Sequence, residues 1–216
     1  MKTIALFVHQ PKCSVQSGNG IIKALTPHYR FKLFTKHETE DNFFDDVDVV
    51  CFPGGIGDSD SWNKLLRAHT SNINSFIDRG GYYLGICMGA YWSGSDYFNL
   101  SSNFRVEQYI TRPNTDTRRP HAKQMKVTWN GEHEDLFFYD GCAIVGDETK
   151  YDVISRYPNG DPMAIIQDRI GLIGCHPEAE QHWYDSYSWM KKRWTGNKHH
   201  ILLDFVNKLV ENKHDR

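Results

Sequence analysis

The stretch Tyr82-Tyr83-Leu84-Gly85-Ile86-Cys87-Met88-Gly89-Ala90-Tyr91 decides the expected fold, because an apolar run ends in a cysteine between two glycines. Glycines on both sides of Cys87 let a strand and a helix approach without Cβ clashes. A strand that turns this sharply into a helix is a nucleophile elbow, which exposes the turning side chain at the helix N-terminus. The helix dipole there favours an anionic thiolate. The stretch therefore predicts strand, elbow and helix, with Cys87 as the candidate nucleophile.

A later apolar segment, Gly171-Leu172-Ile173-Gly174-Cys175, ends in His176-Pro177-Glu178. A thiol is a poor nucleophile until a base takes its proton, and a carboxylate behind the base fixes its orientation. Pro177 interrupts strand pairing, which turns the chain after the strand. The segment therefore predicts His176 as the base and Glu178 as the orienting acid. Glu180 lies close enough in sequence to be an alternative to Glu178.

A third motif, Pro53-Gly54-Gly55, follows the apolar segment at residues 47–52. Glycines at the end of a strand leave backbone N–H groups free to face a ligand. Preorganised N–H donors of this kind stabilise the oxyanion of an acyl-transfer intermediate. We therefore expect Gly54, Gly55 and the N–H of Met88 to form an oxyanion hole.

Pro-Gly-Gly, Gly-x-Cys-x-Gly and His-Pro-Glu, in this order along the chain, resemble class I glutamine amidotransferases. The resemblance implies an α/β fold, a flavodoxin-like three-layer sandwich with a mainly parallel central sheet. It also implies a Cys-His-Glu catalytic triad, made here of Cys87, His176 and Glu178.

A narrower likeness is carried by residues 80–91, 139–142 and 154–157. These segments are similar to the amidotransferase-like domain at the N-terminus of eukaryotic-type biotin–protein ligases. The likeness extends over residues 1–180. It implies the same fold, and it leaves the reaction undefined.

Two departures concern the substrate. Tyr91 stands where glutamine-hydrolysing members usually have Gln, and Gly174-Cys175 replaces a common Gln-Phe pair before the histidine. Tyr91, one turn after the nucleophile, is a candidate substrate-binding residue, although core packing explains it equally well. Asp58, just after Pro53-Gly54-Gly55 (the glycine loop), is a second candidate at the pocket mouth. Because a phenol lacks the paired donor and acceptor of an amide, we expect weak basal glutaminase activity.

Composition excludes several classes of protein. The chain has 216 residues with a formal net charge of −2, which gives no electrostatic signal for nucleic acid or membrane. It contains five cysteines with no CxxC pair, so neither a zinc ribbon nor a redox dithiol is predicted. We expect a cytoplasmic protein that needs no metal and no organic cofactor.

The periodicity predicts one domain, residues 1–216. Short apolar runs alternate with helical segments in the first hundred residues, which predicts a doubly wound sheet. One helix is expected at residues 62–78, capped by Asp60 or Ser61. Residues 100–160 alternate with period two and contain the turn signals Asn130-Gly131 and Asn159-Gly160, so we expect an inserted antiparallel β region. Residues 179–216 are expected to be helical, with a break at 195–197.

The favoured interpretation is a cysteine-dependent amidohydrolase of amidotransferase type, acting on a small-molecule amide or γ-glutamyl-like substrate. If glutamine is the substrate, the released ammonia must pass to a synthase partner, because no ATP-binding loop is present. Two alternatives stay open. One is a non-catalytic regulatory or binding module of the same fold, and the other is a peptide or small-molecule cysteine hydrolase.

Overall fold

A computed structural model describes residues 1–9, 12–56 and 58–211. The strands are β1 (Thr3–Phe7), β2 (Arg30–Phe34), β3 (Val49–Phe52), β4 (Tyr82–Ile86), β5 (Phe104–Gln108), β6 (Lys123–Trp129), β7 (Glu132–Phe138), β8 (Cys142–Gly146), β9 (Asp152–Arg156), β10 (Pro162–Gln167) and β11 (Ile170–Ile173). The α-helices are α1 (Val15–Leu25), α2 (Ser59–Leu65), α3 (Thr70–Asp78), α4 (Met88–Trp92), α5 (Gln181–Asp185) and α6 (His199–Glu211).

Most strands form a single twisted sheet in the order β2-β1-β3-β4-β11-β10-β9-β6-β7. The five strands from β2 to β11 run parallel, and the remaining four are antiparallel. Strands β5 and β8 pair separately as an antiparallel ribbon. The predicted α/β architecture with a mainly parallel sheet is confirmed.

Side chains alternate between two apolar layers on opposite faces of the sheet. Along β1, Ile4 and Leu6 join one buried cluster while Ala5 and Phe7 join the other. Apolar residues of α1 and α6 complete the first cluster, and those of α2, α3 and α4 complete the second. Because parallel strands are covered on both faces, β1 is buried throughout, as its continuous apolar sequence requires.

The predicted helix at residues 62–78 is wrong in its continuity and in its cap. The segment forms α2 and α3, separated by a 3₁₀ turn at Arg67–His69. Leu66 leaves the helical conformation with φ −130°. Helix α2 is capped by Asp58, whose carboxylate accepts from the backbone N–H of Ser61 at 2.7 Å, rather than by Asp60 or Ser61.

The predicted antiparallel β region at residues 100–160 is confirmed. Within it, β6, β7 and β9 extend the central sheet, and β5 and β8 form a separate ribbon. The hairpin at Asn130-Gly131 is confirmed, with φ of 49° and 89° at the two turn residues. The Asn159-Gly160 turn likewise joins the antiparallel strands β9 and β10.

The tail contains less helix than the sequence predicts. Only α5 and α6 are α-helical, and residues 186–198 between them are not. The predicted break at 195–197 therefore belongs to a longer non-helical connection, and residues 212–216 lie outside the described residues. Within the described ranges, none of the helices has the length and apolar character needed to cross a membrane.

The elbow depends on two close backbone approaches and one strained residue. A Cβ at Gly85 would lie 2.5 Å from the carbonyl oxygen of Gly89. A Cβ at Gly89 would lie 2.0 Å from the carbonyl oxygen of Phe52, on the neighbouring strand β3. Cys87 between them has φ 49° and ψ −101°, a positive φ that is rare for a residue with a side chain. The glycines are therefore steric requirements of the turn.

Replacing Gly89 with Ala is expected to lower the free energy of unfolding by about 2 kcal/mol or more, because the new methyl group meets backbone rather than a mobile side chain. Gly18→Ala is the matched control. Its Cβ would meet only Leu6 Cδ2 at 3.7 Å, and helix propensity should stabilise the protein by about 0.5–1 kcal/mol. Chemical denaturation measures both. Equal stability of Gly89→Ala and wild type would contradict the steric argument.

Candidate active site

Cys87 lies at the carboxyl end of β4, immediately before α4. Its side chain is 6% exposed, and its Sγ lies 3.8 Å from the carbonyl oxygen of Tyr139. Cys87 therefore belongs to the first buried cluster and also borders a cavity.

His176 follows β11, which is the parallel neighbour of β4. The register pairs Ile173 with Ile86, so the residues after the two strands emerge side by side. Nδ1 of His176 lies 2.8 Å from Oε1 of Glu178, which leaves Nε2 as the ring nitrogen available to Cys87. The imidazole ring centroid lies 5.4 Å from that of Trp183 and 6.0 Å from that of Phe137, so aromatic groups enclose it.

Glu178, rather than Glu180, is the carboxylate beside the histidine. Glu178 is fully buried, whereas Glu180 forms an ion pair with the exposed side chain of Lys23. Glu180 also lies 3.9 Å from His182. The structure thus resolves the alternative that the sequence left open.

The protonation of His176 is set by opposing effects. Burial disfavours the charged form of His176. The Glu178 carboxylate and then the Cys87 side chain oppose burial, both through charge and through a hydrogen bond. Together they raise the pKa of His176 to about 10. The neighbouring carboxylate therefore favours the imidazolium form of His176. An imidazolium beside a thiol stabilises the thiolate, which is the nucleophilic form of cysteine.

Ser17, on α1, completes the buried network and is a residue that sequence reasoning missed. Its hydroxyl donates to Oε1 of Glu178 at 2.7 Å and accepts from the N–H of Gly54 at 2.9 Å. It is fully buried. Ser17 therefore connects the carboxylate behind the histidine to the glycine loop. The only sequence signal was a serine beside Gly18 at the start of a helix, which also suits a helix cap.

The two glycines of the glycine loop have different roles. The Gly54 N–H is engaged by Ser17, so it is not free for an oxyanion, and the predicted three-donor hole is reduced by one. Instead, Gly54 makes room for the imidazole, because a Cβ there would lie 2.5 Å from Cε1 of His176. Within the described part of the chain, the N–H groups of Gly55 and Met88 donate to no protein acceptor. These two amides remain the candidate oxyanion donors.

Cys87 lies where two cavities meet. One cavity, about 500 Å³, is lined by Asp58, Tyr91, Gln108 and Asp140 among others. The other, about 380 Å³, is lined by His176 and by the aromatic residues Phe137, Tyr139, Trp183 and Tyr187. Cys87, Gly55, Ile56 and Tyr139 border both. The thiol is therefore accessible from two sides with different chemistry.

Both predicted substrate-binding residues border the first cavity. The Tyr91 hydroxyl donates to the carbonyl oxygen of Asp140 at 2.9 Å, and its ring also packs against the second apolar cluster, so Tyr91 both borders the cavity and contributes to core packing. The Asp58 carboxylate is already engaged by Ser61 and by Lys12, whose Nζ lies 3.5 Å from Oδ2.

Asp140 is a second residue that sequence reasoning did not assign. It has φ 54°, and both of its carboxylate oxygens lie 2.8 Å from Nε2 of Gln108. Burial raises the pKa of Asp140, although the Gln108 hydrogen bonds oppose the rise. Within residues 1–9, 12–56 and 58–211, no cation forms an ion pair with it. Its negative charge is thus available to a ligand.

Comparison with solved structures defines the class of fold. The chain has the flavodoxin-like fold of class I glutamine amidotransferases. A glutamine amidotransferase from Thermotoga maritima superimposes with a TM-score of 0.70 at 11% identity, covering 98% of this chain and 99% of that one. PurLQS from the same organism gives 0.65 at 14% identity, covering 97% and 100%. A putative GMP synthase component from Thermoplasma acidophilum gives 0.62 at 13% identity, covering 98% and 95%.

The sequence comparison is more specific about the family. Residues 11–109 match the family described as biotin-protein ligase, N terminal. The matched region includes the glycine loop and Cys87, and it ends before His176. No curated protein sequence matches the chain. The narrower resemblance inferred from the sequence is therefore confirmed over residues 11–109, a shorter part of the chain than the expected residues 1–180.

Glu178→Gln is expected to lower the pKa of His176 from about 10, because burial then acts on the imidazolium without its main counter-charge. Glu180→Gln should leave this pKa unchanged. Histidine titration by NMR, with the His176 signal assigned from a His176→Asn variant, measures both.

The same shift has a consequence for stability. Since the folded-state pKa lies above the ordinary value of 6.5, the contribution to stability is complete below about pH 6.5 and is lost as the pH rises through about 10. In the variant Glu178→Gln, an unchanged pKa of His176 would show that the ion pair with Glu178 does not control this pKa.

Proposed function

We propose that the protein is a cysteine-dependent amide hydrolase of the glutamine amidotransferase type, with Cys87, His176 and Glu178 as its catalytic triad. One observation carries the proposal: a thiol on a strained elbow lies beside an imidazolium that a buried carboxylate orients. The amidotransferase fold supports it, because that fold places a nucleophile at the same strand end.

In the first step, the Cys87 thiolate attacks the amide carbon, and a C–S bond forms. The negative charge that develops on the carbonyl oxygen is accepted by the N–H groups of Gly55 and Met88. His176 then gives its proton to the amide nitrogen, the C–N bond breaks, and the amine leaves. The product on the enzyme is a thioester.

In the second step, water attacks the thioester carbon. His176, now neutral, accepts a proton from the water, and the C–S bond breaks to regenerate the thiolate–imidazolium pair. One water molecule is consumed for each amide, and a carboxylic acid and an amine are the products. Glu178 stabilises the imidazolium at each stage and does not itself exchange a proton.

A primary amide substrate would release ammonia. The structural relatives include a putative component of GMP synthase, and by analogy an ammonia-releasing protein would pair with a synthase that consumes it. A non-catalytic binding module is the competing function, because the biotin-ligase N-terminal match ends before His176. Covalent labelling distinguishes the two.

A chloroketone analogue of glutamine and iodoacetamide should each alkylate Cys87 in preference to the other four cysteines, with mass spectrometry locating the adduct. Cys87→Ala should lose the adduct and lower turnover of any hydrolysed amide by about 10⁴-fold or more.

Cys13→Ala is the matched control, because Cys13 is also buried and its pKa is raised to about 12 by burial. It should retain both labelling and turnover. Preferential modification of other cysteines, or turnover by Cys87→Ala, would refute the nucleophile.

Ser17→Ala is expected to reduce kcat by up to about 100-fold with little change in KM, because it releases Glu178 and the glycine loop from their fixed positions. Ser17→Thr, which keeps a hydroxyl, should recover part of the loss. Ser155→Ala removes another buried serine hydroxyl, one with no partner among the described residues, and should leave kcat unchanged. Equal losses in the two alanine variants would mean that Ser17 acts only through packing.

A further inference from the structure

The two cavities beside Cys87 differ in the side chains that line them. Two carboxylates, those of Asp58 and Asp140, border one of them, which we call the acidic cavity. The cavity bordered by His176 is walled by aromatic rings. A substrate whose reacting carbon lies over Cys87 therefore extends into two different environments.

The chemistry of the reaction assigns each cavity to one part of the substrate. The leaving nitrogen must lie near the His176 ring nitrogen that protonates it. His176 borders only the aromatic cavity, so the substituent on that nitrogen extends there. The carbonyl oxygen faces the free amides of Gly55 and Met88. The remaining substituent, the acyl chain, then extends into the acidic cavity.

The acidic cavity is suited to a cation. The carboxylate of Asp140 has no ion-pair partner among the described residues. It accepts hydrogen bonds from the neutral amide of Gln108 at 2.8 Å. Asp58 contributes less, because Lys12 balances its charge. A charge-assisted hydrogen bond from an ammonium group would complete the coordination of Asp140. Contact with the ammonium group would lower the pKa of Asp140, which burial raises.

The aromatic cavity is suited to a flat apolar group. The ring centroid of Phe137 lies 5.3 Å from that of Trp183, and that of Tyr139 lies 6.4 Å from that of Tyr187. Trp183 is 6% exposed, so its ring forms an enclosed part of the wall. A flat leaving group would pack against these rings, whereas ammonia would leave this cavity empty.

We propose that the substrate is an N-substituted amide, with an ammonium group on its acyl part bound by Asp140 and a planar, largely apolar amine bound by the aromatic cavity. The inference rests on the proposed amide hydrolysis at Cys87. It predicts that a γ-glutamyl arylamide is a better substrate than free glutamine.

Three compounds test the two halves separately. γ-L-Glutamyl-7-amido-4-methylcoumarin and glutaryl-7-amido-4-methylcoumarin differ only in the ammonium group, and L-glutamine lacks the aromatic amine. Fluorescence of the released coumarin and a glutamate assay measure kcat/KM for the full chain. We expect the γ-glutamyl coumarin to exceed each of the other two by about tenfold or more.

Variants then assign each preference to its cavity. Asp140→Asn should remove the preference for γ-glutamyl over glutaryl, whereas Asp58→Asn should retain most of it. Tyr187→Ala should raise KM for the coumarin amide, and Tyr187→Phe, which keeps the ring, should not.

The outcomes separate the inference from the function on which it rests. Turnover of the compounds without preference, or a preference that Asp140→Asn leaves intact, would overturn the substrate assignment alone. Hydrolysis of none of the three, together with the absence of selective alkylation at Cys87, would overturn the proposed function and the substrate with it. Selective alkylation without hydrolysis would overturn only the substrate assignment.

Discussion

The buried carboxylate of Glu178 is the constraint on which the arrangement of the site depends. An ionised carboxylate removed from water costs several kcal/mol unless other groups compensate it. Here Oε1 receives the Ser17 hydroxyl at 2.7 Å and the His176 ring nitrogen at 2.8 Å, while Oε2 has no partner among the described residues. Loss of either partner would leave a poorly compensated buried charge. The ion pair therefore holds α1, the glycine loop and the segment after β11 in one fixed arrangement.

That arrangement leaves no room for side chains at several backbone positions. A Cβ at Gly20 would lie 2.4 Å from the carbonyl oxygen of Glu178, and one at Gly54 would meet the imidazole of His176. The glycines of the site thus serve different purposes. Those of the elbow permit close packing of strand on helix, and Gly54 admits the imidazole ring of His176. Gly55 packs closely against the backbone of Lys12, and its N–H has no protein acceptor among the described residues.

Local patterns predicted what local physics determines. The apolar run of β4, the glycines around Cys87 and the Asn130-Gly131 turn each act within a few residues, and each was predicted correctly. Contacts between distant segments were not predictable in this way. Ser17 and Glu178 are separated by 161 residues, and no motif connects them. The helix at 62–78 was predicted as continuous because periodicity does not register the departures from helical geometry at Leu66 and His69.

Two strained residues face each other across the site, and each helps to hold the other. Cys87 and Asp140 both have positive φ, a conformation that costs on the order of 1–3 kcal/mol and persists only where surrounding contacts impose it. The Cys87 thiol approaches the carbonyl oxygen of Tyr139, and the Tyr91 hydroxyl, one helical turn beyond Cys87, donates to that of Asp140. Tyr91 therefore links the helix after Cys87 to the backbone of Asp140. A glutamine at this position has a shorter side chain and would not span the same gap, so the departure from the amidotransferase pattern at Tyr91 and the position of Asp140 are structurally connected.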